Sequence, residues 1–305
     1  MQVTASAVDN PGPAPAGLAR LADRAVIAVT GPDAEHLLQG ILTQDVARLS
    51  HQPAVFAGLL SPQGKILFDF FLARGPDGLL IDVAADRAVD LVKRLTLYRL
   101  RAKAAFADRS ADMAVLVAWG EAAATLAVPA GAVAFPDPRL PALGLRILVP
   151  AAAAGMADAS AADWHAHRIG LGVPEGGKDY AFGDAFPHEA DMDQLAGLSF
   201  DKGCYVGQEV VSRMQHRATA RKRIVLAKAG APIPPGAVVM AGSARIGAVG
   251  TAAGHSAVVL VRLDRAAEAL AKGETIAAGG VALTLEKPPW ASFALAPPAR
   301  EDEAP

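Results

Sequence analysis

The stretch Lys202-Gly203-Cys204-Tyr205-Val206-Gly207-Gln208-Glu209 contains the only cysteine among the 305 residues of the chain. A single thiol can neither close a disulfide within the chain nor build a four-cysteine metal site, so its special use would be as a reactive or ligating thiolate. The spacing predicts that Lys202 and Cys204 share one face of an extended strand, and that a short helix begins at Gln208 after a turn at Gly207. A nearby cation and a helix N-terminus both favour a thiolate. The alternative is that Cys204 is a small buried hydrophobic residue, as most lone cysteines are.

This octapeptide, with Arg213 after it, resembles the signature K-G-C-Y-x-G-Q-E of the YgfZ-type folate-binding proteins. These proteins belong to the superfamily of the glycine-cleavage T-protein, an aminomethyltransferase. Four other segments are similar to elements of the family and follow its order, namely residues 40–45 (GILTQD), 60–69 (LSPQGKILFD), 97–103 (LYRLRAK) and 168–175 (RIGLGVPE). The resemblance implies an α+β fold in which two interwoven α+β subdomains surround a central cavity and a small C-terminal β-barrel completes a cloverleaf. It also implies binding of tetrahydrofolate or a one-carbon derivative, and a role in assembly or repair of iron–sulfur clusters.

Composition restricts the class of protein. A hydrophobic fraction of 52% with 20% charged residues is typical of a globular chain. The apolar runs are too short to span a bilayer, and a net charge of -2 gives no global attraction to nucleic acid or acidic membranes. Residues 1–17 contain no lysine or arginine and no continuous apolar core, so neither a secretory signal nor an organelle presequence is expected. We therefore expect a cytoplasmic protein without nucleic-acid or membrane partners.

The pattern of predicted strands and helices changes near residue 216. Strand and helix patterns alternate before it, whereas short strands separated by glycine and proline follow it and indicate a small all-β barrel. The predicted division is a disordered tail at 1–17, a folate-binding α+β region at 18–216, a barrel at 217–296 and a second disordered tail at 297–305. Within the first region, residues 55–60 and 65–72 are predicted to form a hairpin around the turn at 61–64. Asp86 is predicted to cap the helix that follows it.

The candidate site residues fall into two groups. Cys204 is expected to be the working thiol, with Lys202 as its electrostatic partner, a role that the family resemblance favours. Tyr205 could pack on a pterin ring or simply fill core space, and Gln208 could pair with the amide-like edge of a pterin. The cofactor-binding candidates are Tyr205, Gly207, Gln208, Glu209, Arg213, Tyr98, Arg99 and Arg101.

Two of these candidate sets have simpler interpretations. Glu209 and Arg213 are four apart, which on a helix gives a same-face ion pair. The basic residues at 99–103 and 213–223 could bind the glutamate tail of a folate or a phosphate. Alternatively they form a solvated face or salt bridges between domains.

Asp69 is the third catalytic candidate. The T-protein resemblance implies an Asp-Asp pair after the glycine turn, whereas this chain has Phe68-Asp69. If Phe68 replaces the catalytic carboxylate, the folate cavity could persist without the transferase reaction. Asp69 could also be an outward-facing strand residue.

Metal sites are poorly supported by the spacing of the seven histidines. His165 and His167 are two apart on a predicted helix, so their rings diverge. An iron–sulfur cluster takes four thiolates, so Cys204 could offer only one ligand during transfer or repair. The leading interpretation is a folate-binding accessory protein whose partners are client iron–sulfur enzymes or assembly proteins. A folate-dependent aminomethyltransferase is the alternative, and a scaffold in which the barrel docks a client is a third possibility.

Overall fold

The computed structural model describes residues 16–216 and 220–295. The predicted tail at 297–305 lies outside these residues, and so does all but the end of the tail at 1–17. Gly17 belongs to the first strand rather than to a tail, because it pairs with Trp119. The division into domains stays a prediction.

The secondary structure alternates between short helices and strands up to residue 170 and is mainly strand after residue 221. The α-helices are α1 (Ala34–Ile41), α2 (Ala88–Arg99), α3 (Glu121–Thr125), α4 (Ala161–Gly170), α5 (Gln208–His216) and α6 (Leu263–Ala271). The strands of the first part are β1 (Gly17–Arg20), β2 (Arg24–Thr30), β3 (Ala54–Leu60), β4 (Ile66–Gly75), β5 (Gly78–Ala84), β6 (Ala105–Asp108), β7 (Met113–Trp119), β8 (Val133–Pro136) and β9 (Leu145–Pro150). The strands of the last part are β10 (Lys222–Lys228), β11 (Val238–Ala241), β12 (Ala244–Ala253), β13 (Ser256–Arg262), β14 (Ile276–Ala278), β15 (Val281–Ala282) and β16 (Thr284–Glu286).

The first sheet has the order β3-β4-β5-β2-β6, and its neighbouring strands are antiparallel. The predicted hairpin is confirmed, with Ala57 opposite Phe70 and a register shift just before the turn. Helices α1 and α2 cover one face of this sheet through buried residues such as Leu38 and Leu95. Asp86 does not cap α2, because it lies in a 3-10 turn and the helix starts after Arg87.

The second sheet has the order β1-β7-β9-β8. Strand β1 precedes β2 in the chain but pairs with β7. The chain therefore contributes one strand to the second sheet, then all strands of the first sheet, and then the remaining strands of the second. The two α+β units are therefore interwoven. The other face of the first sheet meets the second sheet in a shared core that includes Phe71, Val117 and Phe135.

The C-terminal sheet contains seven strands in the order β15-β14-β11-β12-β13-β10-β16 and forms the predicted barrel. Helix α6 and strand β14, which the sequence analysis missed, pack into its core through Ala266, Ala269 and Ile276. The barrel is joined to α4 by buried polar contacts. Arg168 donates to Asp179 Oδ2 at 2.8 Å and to Thr251 Oγ1 at 3.0 Å, while Asp179 Oδ1 accepts from Thr251 N at 2.7 Å.

Candidate functional site

Cys204 lies at the surface, in the loop that leads into α5. Its side chain is exposed and lines an open depression of about 490 Å³, together with Pro62, Gln208 and Ser212. Helix α5 begins at Gln208, as the sequence predicts, so the depression borders the first turn of the helix. The alternative of a buried, inert cysteine is wrong. The thiol is open to a second protein or to a reagent.

The turn before α5 is held by close contact with the turn of the β3-β4 hairpin. Gly207 has a φ of +83°, and a Cβ atom at this position would lie 2.6 Å from the carbonyl oxygen of Ser61. Gly64 has a φ of +78°, and a Cβ there would lie 2.8 Å from Val210 Cβ. Two glycine turns that are distant in sequence therefore pack backbone to backbone. This packing explains why the chain carries glycine at both positions.

Lys202 is held inside the protein, away from the exposed side of Cys204. Its side chain is buried, whereas Cys204 is exposed, so the two residues do not share one face. The Lys202 ammonium donates to the backbone carbonyl oxygens of Gln39 at 2.6 Å, Leu42 at 2.7 Å and Gln44 at 3.1 Å. Burial lowers the pKa of Lys202 to about 8. The prediction fails because residues 202–204 are not a strand, and the ammonium finds acceptors at the end of α1 instead.

The other residues of the motif have mixed roles. Tyr205 is buried, its ring centroid lies 5.3 Å from Lys202 Nζ, and its hydroxyl has no hydrogen-bond partner. Burial raises the pKa of Tyr205 to about 12. Gln208 lines the depression beside Cys204. Glu209 and Arg213 form the predicted same-face ion pair at 3.2 Å, and both side chains are exposed.

Asp69 lies away from Cys204, at a central hollow between the first two sheets. The carboxylate is buried and accepts a hydrogen bond from the hydroxyl of Tyr180. Burial raises the pKa of Asp69. The suggestion that Asp69 faces outward is wrong, because the strand that carries it is covered on both faces. The three catalytic candidates therefore occupy separate places, with Cys204 at the surface and Asp69 and Lys202 inside.

The central hollow is filled by an arginine cluster that the sequence analysis did not find. Arg146 lies over the ring of Phe71, with the guanidinium carbon 4.0 Å from the ring centroid, and Arg139 lies over the same ring at 4.8 Å. Arg24 lies 5.8 Å from this centroid. We name Arg24, Arg139 and Arg146 the arginine cluster. Buried arginines look like surface residues in a sequence, so only their contacts reveal them.

Two buried aspartates pair with the three arginines of the cluster. Asp82 accepts from Arg24 Nε at 2.6 Å and from Arg146 Nε at 2.8 Å. Asp137 accepts from Arg139 Nε at 3.0 Å and from Nη2 at 2.8 Å. The cluster is thus paired and hydrogen-bonded, which is the condition for keeping charges away from water.

Glu175 lies at the same hollow and connects it to α4. Arg168 Nε lies 3.1 Å from its carboxylate and Lys178 Nζ lies 3.2 Å from it. Burial opposes ionisation of Glu175, but attraction to these two cations outweighs burial and holds its pKa well below the ordinary value. Glu175 is therefore a structural anion at neutral pH.

The central hollow does not fit a folate in this arrangement. Its free volume is about 10 Å³, which is room for about one water molecule. Small-molecule sites run from about 300 to 1,000 Å³. The expected cavity for tetrahydrofolate is thus closed by the arginine cluster and Phe71.

The basic segment at the end of α2 lines neither the central hollow nor the depression beside Cys204. Arg99 and Arg101 are exposed, and Tyr98 is half-buried against the core under α2. None of the three lines the hollow or the depression. The second basic segment is partly structural, because buried Arg223 donates to Asp193 at 2.5 and 2.9 Å and lies 3.2 Å from Asp191.

The histidines show no shared site. His165 lies 3.4 Å from Glu175, whereas His167 stacks on Trp119, so the two rings diverge as predicted. Within residues 16–216 and 220–295, no group of three or more His, Cys, Asp or Glu side chains could hold a metal ion. The same residues contain no helix that is both long and apolar enough to cross a membrane.

The fold defines the class of protein. The structure of the glycine cleavage system aminomethyltransferase T from Bartonella henselae superposes with a TM-score of 0.73 and 20% identity, over 90% of this chain and 86% of that chain. The C-terminal β-barrel domain of CAF17 matches residues 221–293. The chain thus has a T-protein-like fold of two interwoven α+β units followed by a CAF17-type barrel.

Sequence comparison gives the particular family. The human mitochondrial iron–sulfur cluster assembly factor IBA57 is 36% identical over 252 residues, which cover 73% of this chain and 71% of the human protein. The mouse protein is 31% identical over 261 residues, covering 77% and 72%. The IBA57 homologue of Mycosarcoma maydis is 37% identical over 229 residues, covering 68% of this chain. The chain belongs to the IBA57 family, which is of the YgfZ type.

Two facts about these relatives qualify the sequence analysis. The chain spans about half the length of the fungal relatives, with 56% of the Mycosarcoma maydis protein and 53% of the Neurospora crassa protein covered. All of these relatives are named as mitochondrial. The expectation of a cytoplasmic protein is therefore wrong, because the family points to the mitochondrion.

Proposed function

We propose that this protein is an iron–sulfur cluster assembly factor that works through the thiol of Cys204. The observation that carries the proposal is that the only cysteine of the chain is exposed in an open depression, within the motif that it shares with YgfZ-type proteins. Membership of the IBA57 family supports the same process.

The chemistry is ligand exchange at iron. The Cys204 thiol loses its proton to solvent, the sulfur forms one bond to an iron of the cluster, and one bond between that iron and a ligand of the donor protein breaks. No electron is transferred. A cluster normally takes four thiolates, so a single cysteine can hold it only while a partner supplies the other ligands. The partners are therefore client iron–sulfur enzymes or other assembly proteins.

The test is maturation of iron–sulfur enzymes in cells that lack their own IBA57-type factor. The wild-type chain should restore the activity of those enzymes, and Cys204→Ser should not, although its protein level stays the same. Ser212→Ala is the matched control, because it removes a small polar group from the same depression and leaves the thiol in place. Full restoration by Cys204→Ser refutes the proposal.

Folate binding is the second candidate function. The T-protein-like fold favours it, whereas the closed central hollow opposes it. We infer that the assembly role does not require a folate in this hollow. Isothermal titration with tetrahydrofolate should therefore show no binding that depends on Arg139, and saturable binding that Arg139→Glu abolishes would refute this inference.

The transferase alternative depends on Asp69. This carboxylate has a raised pKa that suits a general base, but its hydrogen bond to Tyr180 and the small hollow leave no room for a substrate. A turnover assay with tetrahydrofolate and an aminomethyl donor should show no product above background. Catalysis that Asp69→Asn removes would establish the transferase instead. In the scaffold interpretation, Cys204→Ala leaves client activity unchanged and changes on the barrel surface abolish it.

A further inference from the structure

Three polar side chains fasten the segment that leads to Cys204. Lys202 belongs to that segment, and all three of its ammonium donors go to carbonyl oxygens at the end of α1 and the turn after it. Leu42 is the C-cap residue of α1. A cation at this end of a helix is stabilised by the free carbonyl groups and by the helix dipole.

The turn after α1 holds the same segment from its other end. Thr43 Oγ1 donates to Gly197 O at 2.7 Å, and Thr43 O accepts from Ser199 N at 2.9 Å. Gln44 Nε2 donates to the carbonyl oxygens of Ala196 at 2.7 Å and Leu198 at 3.3 Å. We name Thr43, Gln44 and Lys202 the clamp.

The three clamp side chains are buried and donate hydrogen bonds to backbone carbonyl oxygens. Thr43 is 0% exposed, Gln44 2% and Lys202 8%. Apolar side chains of the same size would fill this space without the cost of burying an ammonium, so packing alone does not explain the choice of residues. Hydrogen bonds to backbone carbonyls fix the path of the chain, because each donor has one direction and one distance to satisfy.

The clamp joins two motifs that are 160 residues apart. Residues 40–45 supply its Thr43 and Gln44, and the octapeptide supplies Lys202. Cys204 comes two residues after Lys202, and the Gly207 turn follows at once. The loop that carries the thiol is therefore fixed on one side by the clamp and on the other by the packing of Gly207 against Ser61.

We propose that Thr43, Gln44 and Lys202 are positioning residues that hold the Cys204 thiol at the mouth of its depression. This proposal rests on the function proposed above for Cys204. Lys202 then acts through geometry, by fixing the loop, and its charge serves the carbonyl groups of α1 rather than the sulfur.

The first measurement is hydrogen exchange in the peptide that covers residues 196–207 of the full chain. Lys202→Met removes the ammonium and keeps the stem. Thr43→Val keeps the shape and removes the hydroxyl, which donates to Gly197 O and accepts from Gly58 N. In each variant the amide hydrogens of this peptide should exchange about tenfold faster than in the wild type, because the hydrogen bonds of a charged or buried side chain are lost. Lys228→Met is the control, because it removes a lysine from the barrel and should leave this peptide unchanged. Unchanged protection in both clamp variants overturns the proposal.

The second measurement separates positioning from a merely structural role. Enzyme maturation in cells should fall with Lys202→Met to the level of Cys204→Ser, and the double variant should fall no further. A double variant that is clearly worse than Cys204→Ser overturns the proposal, since Lys202 would then act apart from the thiol. If Cys204→Ser alone keeps full maturation, the function proposed for the thiol fails, whereas the exchange experiment still decides whether the clamp fixes the loop.

Discussion

The contact between the two glycine turns predicts a large difference between two alanine substitutions in one octapeptide. Gly207→Ala forces a side chain into a backbone with a φ of +83° and places its Cβ 2.6 Å from the carbonyl oxygen of Ser61. Gly203→Ala is the matched control, because a Cβ at that position meets nothing within 4 Å.

The expected magnitude follows from these two geometries. The left-handed conformation costs alanine about 1–2 kcal/mol, and overpacking against a backbone carbonyl costs about 1–3 kcal/mol more. Both variants gain about 0.4–1 kcal/mol from a less flexible unfolded chain, so this gain cancels when the two are compared. Gly207→Ala should therefore have a free energy of unfolding about 2–5 kcal/mol below that of Gly203→Ala.

Urea denaturation followed by tryptophan fluorescence measures this difference, and the slope of each transition shows whether the variants still unfold alike. Gly203→Ala should unfold at the wild-type midpoint or slightly above it. Equal stabilities for the two variants would refute the reasoning, since the packing of Gly207 on Ser61 would then carry no energy.

Two other predictions concern buried charges. Asp82→Ala leaves Arg24 and Arg146 without their shared carboxylate. In urea denaturation it should lower the free energy of unfolding by about 3–5 kcal/mol. A loss below about 1 kcal/mol would contradict a paired arginine cluster. The pKa of Glu175 is depressed in the folded state, so its contribution to stability is complete above its ordinary value of 4.5 and is lost as the pH falls below it. Thermal unfolding of Glu175→Gln should therefore change less between pH 6 and pH 3 than that of the wild type, and parallel pH profiles would show that this carboxylate is not involved.

Local structure could be predicted from the sequence wherever neighbouring residues determine it. Helix α5 begins at Gln208, as the Gly207 turn before it predicts. The two ends of the β3-β4 hairpin were found because Pro62 and Gly64 mark its turn. Strand β14 and helix α6 were missed, because β14 is only three residues long and α6 is a nine-residue helix within a region whose glycine and proline turns indicate short strands.

The candidate site was predicted in part. The exposure of Cys204 agrees with its proposed use, but the direction of Lys202 depends on carbonyl groups that lie about 160 residues earlier in the chain. No local pattern carries that information. The arginine cluster was missed for the same reason, since the partners of Arg146 are Asp82 and Phe71, which lie more than 60 residues earlier in the chain.

The exchange of strands between the two sheets affects how the chain can acquire its structure. Strand β1 pairs with β7, about 100 residues later, so the second sheet stays incomplete while the whole first sheet is synthesised. During translation the first α+β unit can fold around its own hairpin, but residues 17–20 must wait for their partner. Such long-range pairing slows folding. A nascent chain released before residue 119 would therefore leave β1 without its partner strand. Co-translational folding assays should detect a late, abrupt gain of protease resistance once β7 has emerged.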